Sequence, residues 1–171
     1  NGNKIITSGG GGMIITNTRK YYEKIKYLSL QAKDDTINFI HNEIGFNLRM
    51  SNIHAAIGSA QIINIKKAIS KRKKIHNFYK KHLSLIPGIE LTGENTGSIS
   101  NFWLNTIKID KKKYGKTKDQ LIKLLLKNNI QVRSLWYPNH LQKPFLKSQK
   151  FKAIKSLNLF KNSLCLPSSY S

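Results

Sequence analysis

Apolar residues fall into short runs between long polar stretches, and their spacing predicts the elements one after another. Met13-Ile14-Ile15-Thr16 is an apolar run between glycines and Asn17, the pattern of a short buried strand. From Arg19 to Leu30 the positions Tyr22, Ile25, Lys26 and Ser29 recur at helical spacing, a helix with a short apolar face. Residues 31–43 are polar and read as a surface loop. Ser51 or Asn52 then stands where a helix N-cap belongs, because a side-chain oxygen there can accept a free first-turn amide. Ile53, Ala56, Ile57 and Ala60 follow at i, i+3, i+4 and i+7. The small residues Ala55, Ala56, Gly58 and Ala60 would let this helix approach a neighbour closely. The pattern resumes through Ile69, Ile75, Phe78, Tyr79 and Leu83 and stops at Pro87-Gly88, which gives one long helix or two nearly continuous ones.

Beyond that point the period changes. Ile107 and Ile109 alternate with Thr106 and Lys108, so residues 103–109 read as a strand. Thr117 caps a compact helix bearing Leu121, Leu124 and Leu125, which Asn128-Asn129 ends. Ile130 to Val132 reads as the next strand, and a loop at Trp136-Tyr137-Pro138 leads to a short helix near residues 151–160. Strand, helix and strand in this order describe a small α/β layer domain. No internal repeat is visible.

Composition adds a strong charge. The 171 residues carry 30 Lys and Arg against 8 Asp and Glu, a formal charge of +22. Phosphate neutralisation by such cations favours nucleic acids, so a basic nucleic-acid-binding module is one reading. Only Arg19, Arg49, Arg72 and Arg133 are arginines, however, and the other 26 are lysines scattered along the chain. The planar guanidinium fork that base and phosphate recognition favours is scarce. With Ile and Asn also abundant, the lysines read as a solvated surface that attracts small anions such as nucleotides, and nucleic acid is not the expected partner. No apolar run approaches the ~20 residues of a membrane span, so no membrane partner is expected. A single cysteine, Cys165, excludes an internal disulfide and a Cys-based zinc site and reads as a small buried residue. His41, His54, His76 and His82 have no metal-ligand spacing, so no metal is expected. There is no starting Met, secretory signal or lipidation motif.

The most unusual segment is Asn3-Lys4-Ile5-Ile6-Thr7-Ser8-Gly9-Gly10-Gly11-Gly12. Glycines permit positive φ and close backbone approach to a ligand, but four in a row also make a linker or a tight turn. The run lacks the Lys-Ser/Thr ending of a phosphate-binding loop and does not open a helix. Taken alone, Lys4 is one lysine among 26.

The order of motifs changes that reading. The segment Asn3-Lys4-x-x-Thr7-x-Gly9-x-Gly11-Gly12-Met13-Ile14-x-Thr16-Asn17 resembles the Schiff-base segment of the DegT/DnrJ/EryC1/StrS family of sugar aminotransferases, which depend on pyridoxal phosphate (PLP). Residues 44–58, Ile-Gly-Phe-Asn-Leu-Arg-Met-Ser-Asn-Ile-x-Ala-Ala-Ile-Gly, are similar to a second block of that family. Lys71-Arg72 through Tyr79 resembles a third, Ile130-x-x-Arg133-x-x-Trp136-Tyr137-Pro138-x-His140 a fourth, and Leu164-Cys165-Leu166-Pro167-Ser168 a fifth. Gly10 stands where the family most often has Glu, and Phe46 where it has Tyr.

The resemblance implies a fragment of a type I (aspartate aminotransferase) α/β fold that begins at the Schiff-base lysine and lacks the family's last helix. Residues 1–65 would end the large PLP-binding domain, and 66–171 would form a linking helix and an incomplete small C-terminal α/β domain. It implies transamination of a nucleotide-linked keto-deoxy sugar, with glutamate as donor, in surface polysaccharide or glycan biosynthesis. The enzyme would be a cytoplasmic homodimer with shared active sites, and the fragment alone would be inactive. Lys4 would join PLP and move the proton in transamination. A dehydratase branch of the family has His at that position, so Lys4 favours amination. A family relative without aminotransferase activity is the other reading.

The same resemblance assigns the remaining site residues. Asn47 would reach the PLP phosphate of the partner subunit; without the family it is a turn residue ahead of the Ser51 cap. Arg49 either grips an anionic substrate group or pairs with Glu43. Trp136, Tyr137 and His140 match a loop that borders the sugar-nucleotide pocket, where aromatic planes beside polar tips suit a base and a pyranose. For Trp136 the alternative is a turn packed on its own domain. Arg133 either contacts substrate or braces that loop.

Overall fold

A computed structural model describes residues 2–169. The chain divides into two compact units, Asn1–Lys66 and Lys67–Ser171.

The first unit is built on helices α1 (Arg19–Ser29) and α2 (Asn52–Ile63). Ser51 is the N-cap of α2, its Oγ accepting from the His54 amide at 3.3 Å. Asn64 separates α2 from α3 (Ile65–Leu83), so the long apolar pattern becomes two nearly continuous helices. The strand expected at Met13–Thr16 does not form. Met13 and Ile15 are 81% and 86% exposed. A strand needs a neighbour to take its amides and carbonyls, and among the described residues this unit has only isolated bridges, Leu30 to Asn47 and Asp35 to Ile40.

The polar stretch after α1 is more than a solvated loop. Gln31 and Ala32 adopt left-handed φ of 72° and 49°, and Ala32 is fully buried. Their amides donate to Phe46 O and Tyr27 O at 3.1 and 2.9 Å. Gly45 lies directly on this turn, and a Cβ there would overlap the backbone of Gln31 and Ala32.

The second unit carries strands β1 (Ile89–Leu91), β2 (Asn105–Ile109), β3 (Arg133–Ser134) and β4 (Ser163–Leu166). They form one antiparallel sheet in the order β1-β2-β4-β3. Helices α4 (Lys111–Tyr114), α5 (Lys118–Lys127) and α6 (Ile154–Asn162) complete it. The core gathers Ile107, Ile109, Leu121, Val132 and Leu164. Ile107 opposes Leu164, and Arg133 opposes Cys165.

Thr117 caps α5 in a full capping box with Gln120. The strand expected at Ile130–Val132 begins instead at Arg133. The Asn129 and Ile130 amides return to Leu126 O and Leu125 O to close the helix, which removes them from a ladder. The three-residue β1 escaped the sequence pattern, and Leu164-Cys165-Leu166 of the fifth block lies in β4. The α3 face also differs from expectation: its buried residues are Ala68, Arg72 and His76, while Phe78 is exposed. No helix among the described residues is long and apolar enough to cross a membrane.

Candidate functional site

In the first unit, Lys4 is exposed on a bend just ahead of an anchored segment. The Gln61 side chain clamps Thr7 at both ends: the Thr7 amide donates to Oε1 at 2.9 Å, and Nε2 donates to Thr7 O at 2.7 Å. Ser8 Oγ donates to Gly10 O at 2.6 Å, and the Gly9 amide to Thr7 Oγ1 at 3.0 Å. Gly9 and Gly11 adopt φ of 80° and 105°, so the run is a folded turn and not a linker. A Cβ on Gly9 or Gly10 would touch the His54 ring at 3.4 or 3.5 Å, and one on Gly11 would meet Met50 Cε at 2.5 Å. The small face of α2 serves the same approach, since a Cβ on Gly58 would touch Ser8 at 3.5 Å.

Asn47 and Arg49 share a cleft of about 500 Å³ with Glu23, Lys26, Tyr27 and Lys33 among its walls. Lys4 does not line it. Arg49 and Asn47 are exposed, and the pair of Arg49 with Glu43 does not form, because the Glu43 carboxylate is held by Lys24. One wall is fixed by Tyr27 Oη donating to Asp34 Oδ2 at 2.8 Å, which itself accepts from the Asn42 amide at 2.7 Å. Partial burial and this bond push the Tyr27 phenol up to about 12. The Asn42 amide and the Tyr27 hydroxyl hold the Asp34 carboxyl below its ordinary value.

In the second unit the loop residues cluster. Arg133 is exposed on β3, opposite Cys165. The Trp136 ring lies 5.9 Å from that of Trp103 yet is 66% exposed. Tyr137 meets Phe160 edge to face at 5.3 Å. Pro138 is buried, and His140 is half-buried in the single turn Asn139–Leu141. Trp136 and Tyr137 thus have packing partners and exposed surface together. The Cys165 thiol is buried and pushed up by that burial, against a smaller opposing pull from Thr106 and Arg133.

Two residues that pattern reasoning gave no role are Arg72 and Lys118, both buried cations. Arg72 lies in the third block, where its place four residues before His76 on the inner stripe of α3 was the available signal. Lys118 carried none beyond being the first residue of a capped helix. Among the described residues no three His, Cys, Asp or Glu come together as a metal site.

An anchored glycine turn behind a lysine, and an aromatic loop on an α/β sheet unit, are the arrangement that the family's motifs mark out. The chain belongs to the DegT/DnrJ/EryC1/StrS aminotransferase family, which it matches over residues 1–171. It is 37% identical to EpsN of Bacillus subtilis (strain 168) over 98% of the chain and 44% of that protein. It is 34% identical to GDP-perosamine synthase of Caulobacter vibrioides (strain ATCC 19089 / CIP 103742 / CB 15) over 84% of the chain and 39% of the relative. The chain therefore spans less than half the length of these relatives. Among solved structures it is similar to DesI, crystallised in the presence of its TDP-sugar product, with a TM-score of 0.80 at 21% identity over 95% of this chain and 41% of that one. The fold is that of sugar aminotransferases, the type I α/β fold the motifs implied.

Proposed function

We propose that the protein to which this chain belongs is a PLP-dependent aminotransferase that transfers an amino group from glutamate to a nucleotide-linked keto-deoxy sugar. Residues 1–65 close the large cofactor-binding domain, and 66–171 supply the linking helix and the small domain. The observation that carries the reading is Lys4, an exposed amine on a backbone that Gln61 clamps at Thr7, in a chain of an aminotransferase family.

The residues present suit the cofactor. Lys4 offers a primary amine, and Asn47 an exposed amide donor suited to a phosphate oxygen. When bound, PLP supplies the electron sink that makes a proton on the donor's Cα labile. Lys4 Nζ would hold the cofactor, would serve as the base that takes the donor's Cα proton in the first half-reaction, and would serve as the acid that protonates the sugar carbon receiving nitrogen in the second. The Gly9–Gly11 turn keeps its backbone close against His54 and Met50. Asn47 Nδ2 would donate to the cofactor phosphate of the partner subunit in a homodimer with shared active sites. Arg49 and Arg133 grip the anionic parts of the substrates. Trp136, Tyr137 and His140 border the nucleotide sugar, the indole and phenol faces covering its rings and His140 reaching its polar groups. The names of the relatives, GDP-perosamine synthase and a structure solved with a TDP-sugar product, support the substrate class. The product would serve surface polysaccharide or glycan synthesis in the cytoplasm.

The test is an absorbance scan of the complete protein with PLP, before and after Lys4→Ala. The visible band of the lysine-bound cofactor is expected to vanish together with turnover. A band unchanged in Lys4→Ala removes Lys4 from the role.

A further inference from the structure

Of two buried cations in the second unit, one bonds the loop Arg133–His140 at Ser134 and the other bonds Trp103, whose ring meets that of Trp136 in the loop. Lys118 begins α5 and is buried. Its Nζ donates to Ser134 Oγ, in β3 at the root of the loop, and to Phe160 O, each at 3.0 Å. The same ammonium sits 4.5 Å from the centre of the Phe160 ring, the ring on which Tyr137 rests edge-on. Asp119 Oδ1 at 3.4 Å is its exposed counter-ion.

Arg72 does the corresponding work at the other aromatic. Its Nη1 donates to Trp103 O at 3.0 Å and to Ser168 O at 3.2 Å, and the Trp103 ring faces Trp136. The surroundings of Arg72 are rigid. Asn105 Nδ2 and its amide both donate to Ser168 Oγ, at 3.1 and 2.9 Å, and Ser168 Oγ donates to Leu166 O at 3.0 Å. That leaves Asn105 Oδ1 to accept from His76 Nδ1 at 2.9 Å, with the imidazole stacked on Phe102 at 4.1 Å. Tyr79 Oη donates to Pro167 O at 2.8 Å. Arg72, His76 and Tyr79 thus lie along one face of α3, at i, i+4 and i+7, and bind the start of β2 and the residues that follow β4.

A buried cation is costly unless its donors are used. Lys118 Nζ and Arg72 Nη1 direct their hydrogen bonds at backbone carbonyls and one hydroxyl. We propose that Lys118 and Arg72 are positioning residues for the substrate loop, Lys118 setting Tyr137 through Ser134 and Phe160, and Arg72 setting Trp136 through Trp103. This rests on the reading of that loop as the border of the nucleotide-sugar site. Neither cation contacts the substrate; each removes freedom that the loop would otherwise lose on binding.

The experiment is steady-state kinetics on the complete enzyme with a nucleotide keto-sugar, comparing Lys118→Met, Arg72→Met, Tyr137→Ala, Trp136→Ala and the pairs Lys118→Met/Tyr137→Ala and Arg72→Met/Trp136→Ala. Each cation variant is expected to raise the sugar-nucleotide KM about five- to tenfold with kcat within about twofold. The half-reaction with glutamate, followed by cofactor absorbance, is expected to keep its rate. In each pair the cation change should add little to the KM of the aromatic variant, because it acts through that residue. Ser134→Ala, which removes only one acceptor, and Arg72→Lys, which keeps a cation and one donor, serve if the Met variants do not fold, with KM raised about two- to threefold. KM effects that multiply in the pairs, or a fall in kcat alone, overturn the proposal. An unchanged KM in both Tyr137→Ala and Trp136→Ala overturns the substrate-loop reading and the proposal with it. A normal cofactor band in those variants would leave the assignment of Lys4 standing.

Discussion

Tyr27 and Asp34 show how one hydrogen bond fixes the behaviour of two titrating groups. The carboxylate is favoured by the Asn42 amide and then by the phenol. The neutral phenol is favoured by partial burial and then by the carboxylate. The contribution of Asp34 is present above the ordinary carboxyl value and is lost as pH falls through its lowered one. That of Tyr27 is present below 10 and is lost as pH rises through about 12. The loop between α1 and Asn47 is therefore expected to loosen at both extremes. A phenolate titration of the wild type minus Tyr27→Phe should show one phenol with its midpoint at about 12; a midpoint near 10 would mean that the bond to Asp34 is absent. Gly45 belongs to this scale too. Its place in a family block was legible, but the reason for it was not, because the left-handed turn at Gln31 and Ala32 that it covers has no glycine to announce it.

Among the elements, those set by local chemistry were legible. Thr117 reads as a cap, and Ser51 or Asn52 as another, because a short polar side chain ahead of a periodic run has few other uses; the structure selects Ser51. Thr117→Ala is expected to cost about 1 kcal/mol in denaturant unfolding with an unchanged slope, since it breaks the capping box without touching the core. Of the elements that depend on distant partners, β2 was legible from its alternation, but others were not. Met13–Thr16 has the composition of a strand but no neighbour to pair with in this unit. Ile130 has the right side chain, but its amide is already used to end α5. On α3 the expected stripe followed Ile75 and Phe78, whereas the buried one carries Arg72 and His76; their burial becomes sensible only once the carbonyls of Trp103 and Ser168 and the amide of Asn105 are brought to them. The site followed the same division. The motif blocks mark Lys4, Asn47 and the aromatic loop as candidates, whereas Lys118 is hidden among 26 lysines because nothing in its sequence surroundings marks it for burial.

Over the whole molecule the dominant quantity is the charge of +22. Four ion pairs involve the described acidic residues, and three of them are between exposed side chains. With 30 cationic residues against 8 acidic ones, like charges repel one another through solvent. Raising ionic strength from about 0.01 to 0.15 M shortens the screening length from about 30 to 8 Å. The melting temperature of the complete protein is expected to rise by a few degrees over that range, and calorimetry would check it. A fall would mean that specific ion pairs outweigh general repulsion.

The sheet order sets one more property. Because β3 is the outermost strand and only two residues long, the segment rooted on it can be exchanged without unpicking the pairing of β1, β2 and β4. Replacement of residues 135–140 should therefore be tolerated by the scaffold as long as Ser134 and Phe160 remain, and under the proposed function this hem of the domain is where new sugar preferences would arise.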